Sequence, residues 1–498
     1  MSKHNNKKLT LIALILMTFT SVFGFTNIAR AFLLMGYSAI PWYIISAITF
    51  FIPYSFMLSE YGAAFKDEKG GIYSWMNKSV GPKYAFIVTF MWYTSYIIWM
   101  VSTSSSIWVP LSNVIFGEDR TSTWSLFGMN ASHTMALLGI TLFIIITFAA
   151  SKGLKSITKV TSIGGTFIAL ANIVLLIGAI VVLIANKFEL AQPISTYSLI
   201  SSPNPTYQSP IGVLGFMVFA IFAYGGLEAI GGLVDQTENP EKTFPKGIKI
   251  AAVIIAIGYS LGILCVGFFT NWSTTLNSST VNMANAGYVV MSNLGYTLGL
   301  AFNLGTSGAQ ILGASFARFI GLSMFLALMG SFFTLTYSPI KQLIEGTPKE
   351  IWPKSWSELD ENDMPKNAMW IQCIIVVAII LISSLGGKTA SAFLNYLILM
   401  SNVAMTIPYI FIAFAFIAFK KKEEIHKPFV MYKNHTTTKI WTVIVIITII
   451  FANIFTIIKP ALDSGDYVAT LFQIAGPIIF GAIALILYDR YEKKMKLK

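Results

Sequence analysis

Long apolar runs, separated by short polar and charged segments, make up most of this 498-residue chain. A helix that crosses the hydrocarbon core of a bilayer needs about 20 mostly apolar residues. The pattern therefore predicts an all-α integral membrane protein with twelve spans, at residues 9–35, 40–60, 84–110, 134–151, 160–185, 210–234, 250–270, 314–340, 367–386, 390–419, 440–458 and 467–488. Prolines such as Pro82, Pro110 and Pro245 stand near predicted span ends, where a missing backbone donor costs little.

The segment between the seventh and eighth predicted spans allows a second count. No charged residue occurs from Ile250 to Ala317, and residues 287–304 are apolar enough to form another span. Counting it would move every later loop to the opposite side of the membrane and so place the later lysine-rich loops outside, although lysine and arginine are enriched in cytoplasmic loops. We therefore expect 271–313 to be a long external loop with short helices over the membrane surface.

The basic residues orient the twelve spans. With the amino terminus inside, 28 of the 34 lysines and arginines fall in the tails and loops of one side. Only four fall on the opposite side, namely Arg120, Lys187, Lys388 and Lys459, and two fall within spans, Arg30 and Arg318. Because lysine and arginine are enriched in cytoplasmic loops, this distribution predicts that both termini are cytoplasmic.

Composition excludes several classes of protein. Apolar residues make up 55% of the chain and charged residues only 11%, against about 25% in soluble proteins, and the mean hydropathy is +0.69. A cytosolic enzyme, a disordered protein or a disulfide scaffold would need a different composition. The net charge of +12 comes from short lysine runs between apolar segments, which indicates membrane topology and no nucleic-acid partner. Cys265 and Cys373 both lie in apolar stretches and are expected to be buried thiols. The first apolar run has no cleavage site for a signal peptidase, so we expect it to be retained as a membrane span.

Two predicted spans carry glycine and polar residues near their centres. In span 1, Gly24 is flanked by Ser21 and Thr26, and span 6 contains Gly225 and Gly226. These glycines either allow close helix packing or mark helices that are unwound in mid-membrane, as in many transporters with inverted repeats. Gly24 and Gly225 are 201 residues apart, about the length of five spans with their loops. We therefore predict a 5+5 inverted repeat, with the first unit at 1–208, the second at 209–419, and two further spans at 420–498.

Such breaks suggest a ligand. The outer half of span 1 would begin near Thr26 with free amides, and this positive end of a helix suits a carboxylate. The outer half of span 6 would end near Phe222 with free carbonyls, which suit an ammonium group. A site that offers both fits a free α-amino acid.

Two motifs also resemble a known family. The stretch from Phe50 to Phe86 reads FFIPYSFMLSEYGAAFKDEKGGIYSWMNKSVGPKYAF, and that from Ala223 to Ile248 reads AYGGLEAIGGLVDQTENPEKTFPKGI. Over essentially the whole chain, the sequence resembles the amino acid/polyamine/organocation (APC) superfamily, and within it the bacterial glutamate/GABA antiporter family and its YjeM-like branch. The resemblance implies a LeuT-like fold, alternating access around the first and sixth helices, and amino acid exchange or proton-coupled uptake.

The resemblance also implies substrate-binding positions. They are Phe23, Gly24, Phe25 and Thr26 at the first break and Phe222, Ala223, Tyr224 and Gly225 at the second, with Phe222 as the gating aromatic. The chain departs from its relatives in two ways. Only Gly24 remains of the Gly-Ser-Gly that many of them carry, which puts the geometry of carboxylate contact in doubt. Val160 to Asn186 lacks the lysine often found in proton-coupled relatives, which favours exchange.

Further residues are candidates for gating or coupling. Glu228 would lie in the first turn after the second break, either as a structural acid or as a charge site. Tyr96 shares a helix face with Trp92 and Trp99, and packing is the alternative to a pocket role for this stripe and for Phe333. We expect Arg30 and Arg318 to extend their charged ends towards the membrane surface or to form ion pairs within the protein, and not to contact substrate.

Enzyme and channel alternatives find little support. The four histidines, His4, His133, His426 and His435, lie outside the predicted spans and show no metal spacing, and no nucleophile or nucleotide motif occurs. We expect no cofactor and no metal. The prediction is an amino acid exchanger of the plasma membrane whose partners are its small substrate and membrane lipid. The alternative functions are a proton-coupled amino acid or polyamine symporter and, from another class, a membrane-embedded enzyme. The protein is also a candidate homodimer.

Overall fold

The computed structural model describes residues 8–385 and 387–497, with side chains omitted at 387–391 and 393. Of the residues used above, Lys3, His4, Lys7, Lys498 and the side chain of Lys388 lie outside the described part. The described chain is helical, without a strand. Its α-helices are α1 Leu11–Val22, α2 Phe25–Met35, α3 Ala39–Ser46, α4 Ile52–Ala64, α5 Ile72–Ser79, α6 Pro82–Ser106, α7 Trp108–Phe116, α8 Ala131–Ala150, α9 Leu154–Ala185, α10 Thr196–Ile200, α11 Pro210–Phe222, α12 Pro240–Phe269, α13 Ala286–Ala301, α14 Gly305–Gly346, α15 Lys366–Leu385, α16 Gly387–Lys421, α17 His435–Ser464 and α18 Tyr467–Lys496.

Eleven helical stretches in the described residues are long and apolar enough to cross a membrane. The first, Leu11–Ala64, has 54 residues and would be about 80 Å long if straight, against a hydrocarbon core of about 30 Å. It is folded back on itself, because the Tyr43 hydroxyl lies 3.5 Å from the carbonyl oxygen of Asn27, sixteen residues earlier. The turn is Gly36–Ser38, where Gly36 has a φ of +55° that favours glycine. This stretch therefore contains two arms, which match the predicted spans 9–35 and 40–60.

Several helices extend beyond the apolar runs that predicted them. The helix predicted at 314–340 begins at Gly305, so Arg318 lies more than three turns inside it and not near its start. The helix predicted at 160–185 begins at Leu154. Both extensions contain mostly polar or small residues, so their mean hydropathy is too low to predict a membrane helix. The segment 271–313 contains the sixteen-residue helix α13, and a Cβ at Gly295 would lie 2.7 Å from the Leu312 carbonyl, so α13 packs backbone to backbone on α14.

The first helix lies at the centre of the packing. A Cβ added to Gly164 of α9 would lie 2.5 Å from the Leu326 carbonyl of α14 and 3.1 Å from the Thr20 side chain of α1. Small residues thus bring α1, α9 and α14 close together, as is common in membrane helix bundles. The chain leaves its helical conformation at the end of α1, inside this packed region.

Candidate functional site

The first helical hairpin is interrupted where the glycine pattern predicted. Helix α1 ends at Val22 and α2 begins at Phe25, and Gly24 between them is extended, with φ −82° and ψ 106°. No side chain caps the start of α2, and the first N–H groups of a helix have no acceptor within it. A Cβ at Gly24 would lie 3.1 Å from the side-chain nitrogen Nδ2 of Asn27, so a larger side chain has little room.

A second interruption follows α11. The helix ends at Phe222, and the chain resumes at a 3-10 helix, Leu227–Leu233, after Gly226 with φ +108°. A Cβ at Gly226 would lie 2.5 Å from the carbonyl oxygen of Ser21 in α1. The two breaks therefore contact each other, and glycine is required at this point by both its φ and the close approach.

Tyr259 of α12 joins the two breaks, a link that sequence analysis missed. Its hydroxyl accepts from the Gly24 amide at 2.9 Å and lies 2.9 Å from the Val22 carbonyl and 3.2 Å from that of Ala223. A hydroxyl has a single hydrogen, so it donates to only one of these carbonyls at a time. Because Tyr259 occupies the Gly24 amide, the unshared amides at this helix start belong to Phe25 and Thr26.

Glu228 is fully buried beside the second break. Its Oε1 accepts from Trp92 Nε1 at 3.0 Å, from the Tyr96 hydroxyl at 2.9 Å and from the Tyr409 hydroxyl at 3.2 Å. The Tyr409 hydroxyl in turn accepts from the Gly226 amide at 3.1 Å, so the acid holds the opened backbone through a tyrosine. Glu228 Oε2 has no hydrogen-bond partner among the described residues.

Two cavities meet at the breaks. The break cavity, of about 480 Å³, is lined by the first break and by Arg30, Thr103 and Tyr288. The rear cavity, of about 680 Å³, runs from Tyr96 and Tyr409 past Thr406 to Lys459 and Asp463. The residues common to both cavities are Ser21, Trp99, Phe222, Gly225 and Ser331. Phe222 therefore lies between the break cavity, which is beside α2, and the rear cavity, which is behind α11.

The structure brings most, but not all, of the predicted residues to these cavities. Those that line the break cavity are Phe23, Gly24, Phe25, Thr26, Arg30, Phe222, Ala223 and Gly225. Tyr96 lines the rear cavity, with Glu228 behind it. Tyr224 lines neither, because it is 1% exposed and its ring stacks on Phe51 at 4.6 Å. Phe333 is also buried and lines neither cavity, whereas Ser331 lines both.

Arg30 supplies the charge of the break cavity. Its Nε donates to the Met283 carbonyl at 2.7 Å, and within the described residues no carboxylate lies within 4.0 Å of its guanidinium. Of the residues that line the break cavity, only Arg30 is charged. No group of three or more His, Cys, Asp or Glu side chains that could hold a metal occurs in the described part of the chain.

Comparison with known proteins adds sequence relatives to this geometry. The family model for amino acid permeases matches residues 9–483. The chain is 52% identical over 488 residues to the inner membrane transporter YjeM of Escherichia coli, covering 98% of this chain and 97% of that protein. It is 26% identical over 420 residues to the aspartate/glutamate permease AcaP of Lactococcus lactis subsp. cremoris, covering 83% and 80%. It is 24% identical over 506 residues to the probable agmatine/putrescine antiporter AguD of Lactococcus lactis subsp. lactis, covering 100% and 97%.

Proposed function

Since the chain belongs to the amino acid permease family, we propose that it exchanges amino acids across the plasma membrane by alternating access around the two helix breaks. Membership confirms the resemblance inferred from the two motifs and makes the chain a multi-pass membrane transporter. The embedded-enzyme alternative is thereby set aside, because the family and the relatives are transporters. The remaining questions are the fold type, the substrate and the coupling.

For the fold, we propose a LeuT-like arrangement with twelve spans in two inverted repeats, 1–208 and 209–419, followed by two spans in 420–498. Counting the two arms of Leu11–Ala64 separately brings the eleven membrane-length stretches to twelve. The breaks after Val22 and Phe222 fall at corresponding places in the two units. The lysine distribution supports a cytoplasmic location of both termini.

For the substrate, the contact between the breaks carries the proposal. The amide end of α2 and the carbonyl end of α11 face a common space, so a carboxylate would accept from the Phe25 and Thr26 amides. The Phe222 carbonyl already accepts from the Gly225 amide at 3.0 Å, but a carbonyl has two lone pairs and would accept from an ammonium as well. Arg30 would repel a polyamine, which favours an amino acid over the purely cationic alternative.

For the coupling, exchange has two supports. Helix α9 carries no charged residue from Thr161 to Ala185, so no lysine is placed there to bind a proton. A distant relative, AguD, is named an antiporter. Proton-coupled uptake is the second candidate, and it is favoured by the unpartnered Oε2 of the buried Glu228.

The test is uptake into proteoliposomes preloaded with single amino acids, with and without a pH gradient. Exchange requires that uptake depend strongly on the internal amino acid. Uptake driven by the gradient alone, with empty liposomes, would support the symporter. Failure of every standard amino acid to be taken up under either condition would overturn the proposed substrate class.

A further inference from the structure

A third cavity, which we call the lysine-lined cavity, lies at the opposite end of the 3-10 helix from the second break. Its volume is about 520 Å³, and Asp235 and Gln236 line it just after this helix ends. The Lys341 ammonium bonds to the Gly232 carbonyl at 2.9 Å and to Asp235 at 2.5 Å. This buried contact ties α14 to the end of the 3-10 helix and neutralises Asp235. The cavity shares no lining residue with the two cavities at the breaks.

One side of the lysine-lined cavity is built for an anion. The 32-residue helix α9 begins there after Gly153, whose φ is +118° and which provides no side-chain cap. The first amides of α9, at Leu154 and Lys155, have no acceptor within the helix. Lys8, Lys152 and Lys155 line the same space, and no described carboxylate lies within 4.0 Å of their ammonium groups. The Lys152 ammonium lies 4.2 Å from the centroid of the Phe148 ring, and none of the three lysines has a carboxylate partner in the described residues. A helix start with free amides and lysines without an anionic partner favours a carboxylate.

The other side of the cavity holds acceptors without donors. The Glu345 side chain is 7% exposed, and its Oε2 lies 3.6 Å from Lys69, but its Oε1 has no partner. Gln236 donates through Nε2 to the Tyr337 hydroxyl at 2.5 Å, while its Oε1 is also buried without a partner. Most buried acceptors in folded proteins are paired with protein groups or ordered water, so these two oxygens have capacity for a water or a ligand donor.

We propose that the lysine-lined cavity is a second amino acid site, separate from the one at the helix breaks. The carboxylate accepts from the start of α9 and from Lys155, and the ammonium donates to Glu345 and Gln236. An anion alone would leave the two acceptors unpaired, and an amine alone would leave Lys8, Lys152 and Lys155 without an anionic partner. The inference rests on the proposed function for its ligand class. In the proposed topology the cavity faces the cytoplasm.

The experiment uses the full-length protein, purified in detergent, and acetylation of Lys152 by an N-hydroxysuccinimide ester, measured by mass spectrometry. Because added amines also consume the reagent, protection of Lys152 is measured as the ratio of its acetylation to that of the exposed Lys187 in the same sample. Each standard L-amino acid is added separately, with acetate and methylamine as probes of the anion and amine halves. We expect at least one amino acid to protect Lys152, and neither acetate nor methylamine to do so at the same concentration. Glu345→Gln removes the charge that holds the ammonium and should raise the half-protecting concentration about tenfold. Lys159→Gln, an exposed position further along α9, should leave it unchanged.

Three outcomes would overturn the proposal. They are protection by no amino acid, equal protection by acetate, and loss of protection in Gly24→Val, where the site at the first break is obstructed. The last outcome would mean that binding at the breaks changes the lysine environment indirectly. If protection persists in Gly24→Val while the wild-type protein exchanges no amino acid, the second site stands and the proposed transport function fails.

Discussion

The hydroxyl of Tyr259 lies 2.9 Å from the amide nitrogen of Gly24, which also donates to the Val22 carbonyl at 3.1 Å and so is not free for a substrate carboxylate. The same hydroxyl lies 3.2 Å from the Ala223 carbonyl, so a single side chain of α12 contacts both interruptions. A movement of one break relative to the other must therefore change the hydrogen bonding of Tyr259.

Tyr259→Phe removes the hydroxyl and keeps the ring. The Gly24 amide and the Val22 carbonyl lose a buried partner but keep the hydrogen bond between them. We therefore expect the free energy of unfolding to fall by about 0.5–1.5 kcal/mol, with slower exchange. Thermal unfolding and proteoliposome exchange measure the two effects. Tyr197→Phe, at a 74% exposed tyrosine, is the matched control. Unchanged stability and exchange in Tyr259→Phe would show that this link carries no function.

Gly24→Val places a branched side chain at the first break. Its Cβ would lie 3.1 Å from the side-chain nitrogen Nδ2 of Asn27, and its methyl groups would enter the space proposed for the substrate carboxylate. We expect transport to be abolished while the protein still reaches the membrane, as measured by uptake and by immunoblot of membrane fractions. Gly481→Ala, where a Cβ meets nothing within 4 Å, should transport normally. Normal transport by Gly24→Val would contradict the proposed role of this break.

Phe222→Ala opens the partition between the break and rear cavities. An aromatic ring in this position can close over the ligand and attract its ammonium group, so we expect a higher KM with little change in thermal stability. The concentration dependence of exchange measures the change. Tyr224→Phe is a useful comparison, because Tyr224 is two residues further along the break but lines neither cavity. Equal increases of KM in both variants would argue against a specific role for Phe222.

Glu228→Gln separates a structural acid from a coupling acid. Glutamine keeps an oxygen that accepts from Trp92, Tyr96 and Tyr409, while the charge is lost. We expect transport close to wild type with an unchanged pH profile, because these three donors tie the oxygen into the fold. The pH dependence of transport between pH 5 and 8 is the measurement. A wild-type pH dependence that disappears in the glutamine variant would identify Glu228 as the coupling site.

Cysteines at Asn277 and Lys422 test the proposed orientation. Asn277 lies before α13, and Lys422 directly follows α16 in a lysine run. An impermeant maleimide should label the two positions from opposite sides of the membrane, with Asn277 accessible from outside. The native Cys265 and Cys373 are both buried and should react little. Labelling of both introduced positions from one side would mean that a span has been miscounted.

The sequence predicted those features that depend on local pattern. Apolar runs located the helices, and glycines among polar neighbours located the interruptions after Val22 and Phe222. The four-residue spacing of Trp92 and Tyr96 correctly placed both side chains on one face, and both donate to Glu228.

The features that depend on contacts distant in the sequence could not be predicted. Tyr259 is 235 residues from Gly24, and Tyr409 is 181 residues from Glu228, so no local pattern distinguishes them from other buried tyrosines. The position of Tyr224 depends on backbone angles in an irregular turn, which turn this side chain towards Phe51 and away from the cavities. Helix α14 begins at Gly305, in a stretch of mostly small and polar residues whose low hydropathy does not predict a membrane helix.

The turn at Gly36–Ser38 has a consequence for how the protein is made. No charged residue occurs from Ala31 to Ser59, so the connection between the first two arms carries no charge that would hold it in the aqueous phase during synthesis. The buried turn and the contact of Tyr43 with Asn27 instead pair the arms closely. We therefore expect both arms to enter the membrane together as one hairpin during synthesis, before Tyr259 of α12 is available to pair with the Gly24 amide.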